Sequence, residues 1–537
     1  MKRQLFFGVL LIFIMAFSLY AGGSSAAQSA APAAGGKVTL PAYNPNNPAV
    51  TVTLLQQGWN NVAVAIPNPV DEWIKRNYNI NFMVTCVSNA DFMPKATTLF
   101  AAGDSPDLLS HMGGNKNTLL LFYDQGVMCD DLTPFLDYIP TRKALITPEV
   151  KQSISKDGKI FGLPNVPNVG FEGWFVRKDW LTKLGLSYPK TTNEFLDMLR
   201  KFTNSNLAGP DVKTYGITVA AGGQGPGSIL REFNQLMHFY GPSGFHVVNN
   251  KVEHEMTNGV RKQTLDLVRA IVKEGLVNPD WMTVNQESRK AQLFKGAYGL
   301  TNYGNALAAE CESAYNQDGS TLGWWEYMDW LDFSGNGSAG KGPAFGLSST
   351  MLGVSKKATA DLVKMERICS FVDAATFPNK GYMLLRWNIG FEDAYKQFNY
   401  LTLAIPGGGM YWSNAADGPW HWRPNFAGAA DYGAWIATNA DLVMEGRAHT
   451  VPAVVNVQMT QRTKASAAKR YTGESQLLNL DQQIITDLTT MRDTFEMNYV
   501  LGIDANWDGY VQRWRSMGGD KMIAQATEQF KALGLIK

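Results

Sequence analysis

The chain has 537 residues, with 48 Lys and Arg against 47 Asp and Glu, for a formal net charge of +1. That balance removes the electrostatic basis for gripping a nucleic acid or another polyanion, and no run of like charges restores it locally. The length allows two or three domains with substantial cores.

Lys2 and Arg3 precede an apolar stretch from Leu5 to Tyr20, which small residues follow. The stretch falls short of the roughly 20 residues that span a bilayer, so it reads as an export signal. Residues 1–21 are therefore expected to be the leader, with Ala26 as a second cleavage point, and residues 22–36, rich in Ala, Gly and Ser, a flexible linker. The expected product is periplasmic and carries no lipid anchor, because Gly22 stands where an acylated cysteine would be needed.

VTVTLLQQ at 50–57 has the β-branched composition of a strand and ends at Gly58, Trp59 and Asn60. NPVDEWIKRNY reads as a helix, NINFMVTCV as the next strand, and the Gly-Asp-Ser-Pro turn at 103–106 introduces another. At 189–202, Pro189 closes a turn and Thr191 with Glu194 has capping-box spacing. Phe195, Leu196, Leu199 and Phe202 then fall on one helical stripe, which is core. KTYGITVAA is a further strand before the Gly-rich stretch 222–227, and FHVVNNKVEHEM reads as a hairpin turning at two Asn residues. Alternating strands and helices predict an α/β fold with mainly parallel sheets. Such sheets take ligands at the carboxyl ends of their strands, which makes Trp59, Asn60, His111 and Asn115 candidate cleft residues.

Several patterns point away from catalysis and metals. Asp504, Asn506, Asp508 and Gly509 match the start of a calcium loop, but Arg515 stands where a bidentate Glu is required, so the segment reads as a capped helix start. GGQGPG at 222–227 lacks the GxGxxG register and reads as a surface loop. Glu253, His254 and Glu255 are consecutive on a predicted strand, where neighbours face opposite ways and do not converge on one ion. Cys86, Cys129, Cys311 and Cys369 have no metal-type spacing, and whether any two pair is left open. No GxSxG elbow or HExxH pair occurs, so neither a catalytic residue nor a cofactor is expected.

The aromatic content is the informative feature. Aromatics are 12% of the chain, including 15 Trp, against only 18% charged residues, more flat amphipathic surface than a core alone demands. Pyranose rings stack their C–H faces on Trp and Tyr while their hydroxyls bond to amides and carboxylates. Trp324, Trp325, Tyr327 and Trp330 form one cluster, and YWSNAADGPWHWRPNF at 411–426 alternates aromatic with polar residues without helix or strand period.

Five stretches carry a family resemblance: KDGKIFGLPNV at 156–166, FVRKDWLTKLGLSYPKTTNEFLDMLRKF at 175–202, LFKGAYGLTNYG at 293–304, LGVSKKATADLVKMERICSFVD at 352–373 and WDGYVQRWRSMGGDKMIAQATEQFKAL at 507–533. In this order the chain resembles the extracellular solute-binding proteins of family 1, in the large lipoprotein-type branch associated with oligosaccharide ABC importers, from which the absent lipobox cysteine is a departure. FEGWF, before the Arg-Lys-Asp-Trp stretch, is more aromatic than that family's pattern. The resemblance implies a periplasmic-binding-protein-like fold, two lobes each with a mainly parallel sheet flanked by helices, joined by a three-strand hinge. It places lobe one at 37–162 and 299–352, and lobe two at 163–298 and 353–537. It further implies a monomer that captures a carbohydrate between closing lobes and hands it to permease subunits. The expected ligand-binding residues are Trp59, Asn60, Asn115, Glu172, Trp174, Tyr303, Trp325, Trp412, Trp420, Trp422 and Arg423. A secreted polysaccharide hydrolase or lyase, and a sugar sensor, are the alternatives.

Overall fold

A computed structural model describes residues 38–57, 68–112, 115–165, 172–220, 230–284, 286–304, 307–314, 319–335, 337–343, 350–376 and 467–537, with isolated positions between 379 and 465. Strand β1 (Val50–Gln57) pairs in parallel with β2 (Ile80–Val87), and β3 (Leu108–Met112) adds in parallel on the other side of β1. The helix between β1 and β2, Pro69–Tyr78, begins where Asn68 accepts from the amides of Val70 and Asp71. Asp71 and Glu72 favour its positive end, and it stops at Asn79 in the left-handed region, φ 52°. Val70, Trp73 and Ile74 are its buried side.

A small hairpin of β4 (Ser155–Lys156) and β5 (Lys159–Ile160) leads to β6 (Leu163–Asn165). The chain then enters a second sheet through β7 (Glu172–Arg177) and β8 (Tyr215–Thr218). Between them lies the helix Thr192–Thr203, capped as expected by Thr191 accepting from the Glu194 amide, with Phe195, Leu196, Leu199 and Phe202 buried. It packs so closely that a Cβ on Gly216 of β8 would stand 2.6 Å from the Leu199 carbonyl oxygen. The hairpin β9 (Phe245–Val248) and β10 (Lys251–His254) turns at Asn249 and Asn250 with φ of 49° and 63°, the left-handed pair that a two-residue turn requires. Strands β11 (Tyr298–Gly304) and β12 (Trp325–Met328) join the second sheet, and β13 (Thr350–Val354) returns to the first. The sheet orders are β2-β1-β3-β13-β6 and β12-β7-β11-β8.

The two-lobed α/β architecture agrees with the sequence reading, and two details differ. Parallel pairing holds for β1, β2 and β3, whereas β13 runs antiparallel to its neighbours and β7 is antiparallel to both β11 and β12. The lobe boundaries also move. Residues 298–304 and 325–328 hydrogen-bond into the second sheet, so the chain leaves lobe two after β12 and not at 299. The helix Leu362–Ala374, expected in lobe two, buries Met365, Ile368, Phe371 and Val372 in the core of lobe one, which Tyr382 and Leu385 also join. The chain is back in lobe two by Gln461, whose amide donates to the Trp325 carbonyl. Among the described residues it thus changes lobe between β6 and β7, between β12 and β13, and between Leu385 and Gln461. The leader and linker lie outside the described residues.

None of the four cysteines is in a disulfide and all are buried, and burial pushes the Cys311 and Cys369 thiols up to about 11 and about 12. Asn506 is the N-cap of the helix Trp507–Trp514, its side chain accepting from the Gly509 amide, as expected of a capped start.

Candidate functional site

Only six residues separate the end of β6 at Asn165 from the start of β7 at Glu172. At about 3.5 Å per residue that connection reaches no more than about 25 Å, which bounds the distance between those two strand ends. On lobe one the edge comprises the carboxyl ends of β1, β3 and β6 and the amino end of β13, aligned by Gln56↔Ser110, Thr350↔Met112 and Thr350↔Asn165. On lobe two it comprises the amino end of β7 and the carboxyl end of β11, aligned by Glu172↔Gly304 and Gly173↔Tyr303. Strand β8 runs parallel to β11 and finishes at the same side. Ligand-binding α/β proteins place their sites at such strand ends.

Polar groups concentrate at these ends. Gln56 and Gln57 end β1 and Ser110 lies within β3; all three are buried, and Gln57 Oε1 has no hydrogen-bond partner among the described residues. Burying an unsatisfied acceptor costs about 1–3 kcal/mol, so the position is not neutral for folding. Opposite, the Tyr303 hydroxyl donates to Glu310 at 2.6 Å, and Lys290 approaches the same carboxylate at 3.6 Å. The Arg289 guanidinium lies 5.6 Å from the Tyr303 ring centroid and forms an ion pair with Glu232. Glu232 also accepts from the Ala220 amide at 3.1 Å, which fixes the chain just past β8. Charged groups from three helices thus hold one tyrosine ring at the lobe-two edge.

The expected site residues divide accordingly. Tyr303 lies at the crossing end of β11, 7% exposed, at the border of the buried cluster that contains Phe175, Trp325 and Tyr327. Asn115 opens the helix Asn115–Asp124 just after β3, and Glu172 opens β7, so both backbones are at the facing edges. Trp174 does not belong to the site: it has no exposed surface and packs in the lobe-two core, 6.1 Å from Phe239. Trp325 is likewise corrected, since it is 3% exposed and pairs with Arg177 at the end of β7 remote from the crossing. Trp59, Asn60, Trp412, Trp420, Trp422 and Arg423 lie outside the described residues. Gln57, Glu232 and Arg289 also stand at these strand ends and were not among the expected residues; Gln57 closes β1, while Glu232 and Arg289 are 57 residues apart and nothing in the sequence joins them.

A cavity of about 440 Å³ borders the edge strand β12, lined by Tyr188, Glu326, Tyr327, Asp329 and Lys464 among others. Its Glu326 carboxylate is already engaged by the Tyr188 hydroxyl at 2.9 Å and Lys464 at 2.8 Å. Among the described residues no group of three or more His, Cys, Asp or Glu is arranged to hold a metal, and no helix is long and apolar enough to cross a membrane.

Two lobes, each with a mixed sheet, between which the chain passes after β6, after β12 and after Leu385, define a bilobal protein of the binding-protein type. The chain belongs to the bacterial extracellular solute-binding protein family, whose model matches residues 59–378. It is similar to Lipoprotein LipO of Bacillus subtilis, 23% identical over 300 residues that cover 54% of this chain and 57% of the relative. It is also similar to the fructooligosaccharide ABC transporter substrate-binding protein FusA of Streptococcus pneumoniae, 25% identical over 36% of this chain and 38% of that one. These matches span about half or less of each relative's length. The solved structure of FusA in complex with kestose superposes with a TM-score of 0.63 at 17% identity, over 90% of this chain and 99% of that one.

Proposed function

We propose that this protein binds a carbohydrate, of oligosaccharide size, between its two lobes outside the cytoplasm and delivers it as a monomer to the permease subunits of an ABC importer. The observation that carries the reading is the pair of facing strand edges, with buried Gln57 on one and the braced ring of Tyr303 on the other. Aromatic faces and amides are what a pyranose requires. The likeness to FusA, a fructooligosaccharide ABC transporter substrate-binding protein, supports the same ligand class. Capture needs no covalent step: a micromolar complex requires about 8 kcal/mol, within reach of two or three stacked rings and a set of hydroxyl bonds. Export without lipidation is part of this reading, and mass spectrometry of the mature amino terminus tests it.

The test of function is a thermal-shift series on the mature protein with mono- and oligosaccharides, fructooligosaccharides included. A ligand present at 100 times its dissociation constant adds about 2.7 kcal/mol to stability and raises Tm. No shift with any glycan, or turnover of a glycan into shorter products, contradicts the proposal.

A further inference from the structure

Residues 474–480 lie between the two lobes and bond to both. On the lobe-two side, Glu474 accepts from the Val247 amide at 2.9 Å and Ser475 Oγ from the Phe245 amide at 3.3 Å, which fastens the segment to β9. Leu478 is buried in the cluster that contains Phe245, Met256 and Phe530. The Gln529 side chain brackets the Asn479 backbone, accepting from its amide and donating to its carbonyl, each at 2.8 Å. On the lobe-one side, Lys116 Nζ donates to the carbonyls of Gln476 at 2.7 Å and Leu478 at 2.9 Å, and Asn479 Nδ2 donates to the Ser155 carbonyl at 2.8 Å.

We infer that residues 474–480 act as an interlobe strap, fixed to lobe two and keyed to lobe one through Lys116 and Asn479, that sets the resting orientation of the lobes. Lys116 is placed to do this. It lies in the first turn of the helix that follows β3, at the carboxyl-end side of the lobe-one sheet. No carboxylate is within ion-pair reach of it among the described residues, so the two strap carbonyls hold its ammonium group. Burial lowers its pKa to about 7, consistent with a cation withdrawn from water for this contact. The strap's own lobe-two bonds are independent of Lys116, so cutting the lobe-one bonds removes this tie between the lobes without dismantling either.

The inference does not depend on the identity of the ligand, and its test uses the protein alone. Spin labels at Lys95→Cys in lobe one and Lys201→Cys in lobe two report the interlobe distance by double electron–electron resonance; the native thiols are buried and escape labelling. Lys116→Met and Asn479→Ala are each expected to broaden and displace the distance distribution relative to the labelled parent, while Lys116→Arg, which keeps donors in place, retains the parent distribution. Circular dichroism melting of every variant confirms that each is folded during the measurement. Superimposable distributions for the parent, Lys116→Met and Asn479→Ala overturn the inference, whether or not any sugar binds.

Discussion

Arg261 and Glu496 meet in a bidentate ion pair with both side chains almost wholly buried, the Arg261 Nε to Glu496 Oε1 distance being 2.6 Å. The pair ties the helix Val260–Lys273 to the helix Gln482–Leu501, and so fixes the C-terminal segment to lobe two. Removing one partner leaves the other as an uncompensated buried charge. Glu496→Gln is therefore expected to lower unfolding stability by about 3–5 kcal/mol in urea titration. A loss under about 1 kcal/mol would show that water reaches Arg261 and that the pair is not what anchors the segment.

Tyr303 and Trp174 should behave oppositely when truncated. Tyr303→Ala is expected to weaken sugar binding by about 1–3 kcal/mol, roughly five- to 150-fold, by calorimetric titration. Tyr303→Phe keeps the ring and loses the bond to Glu310, so it should fall between the parent and the alanine variant. Trp174→Ala should cost about 3–5 kcal/mol of stability and leave the affinity of the folded protein unchanged. Equal effects of both alanine variants on affinity would contradict the placement of the site.

Acid should destabilise the protein through His238. This ring is buried against Trp330 and Tyr471, and burial lowers its pKa from the usual 6.5 to about 4. Between those values the unfolded chain binds a proton that the folded one refuses, so the His238 contribution is complete above pH 6.5 and is lost as pH falls to about 4. Melting temperatures across this range should decline more steeply for the parent than for His238→Gln. Parallel pH profiles would show that His238 gains a proton partner on acidification.

The four thiols should be inert in the native state. All are buried, and burial raises the pKa of Cys129, Cys311 and Cys369. A thiol reagent at pH 8 is expected to titrate none within minutes and all four in denaturant. Fewer than four in denaturant would reveal a disulfide.

Much of the frame was legible because local chemistry decided it. Asn68 before Pro69 dictates a helix start, Thr191 with Glu194 dictates another, and the two Asn residues of the hairpin supply the backbone angles its turn demands. Lobe membership was less legible. The strand Tyr298–Gly304 is buried along almost its whole length, and such a strand carries no facial pattern that says which sheet receives it. The same absence of alternation made Trp174 look like a cleft residue, since FEGWF gives no sign of which ring is enclosed. The bracing of Tyr303 by Arg289 and Glu232 was invisible for a different reason: it joins residues brought together only by the packed fold.

The most direct test of capture between closing lobes is small-angle X-ray scattering of the mature protein with and without an oligosaccharide whose binding calorimetry has established. The account predicts a smaller radius of gyration with the sugar bound, as the two facing strand edges draw together around it. An unchanged radius of gyration at saturating, tightly bound sugar would contradict it.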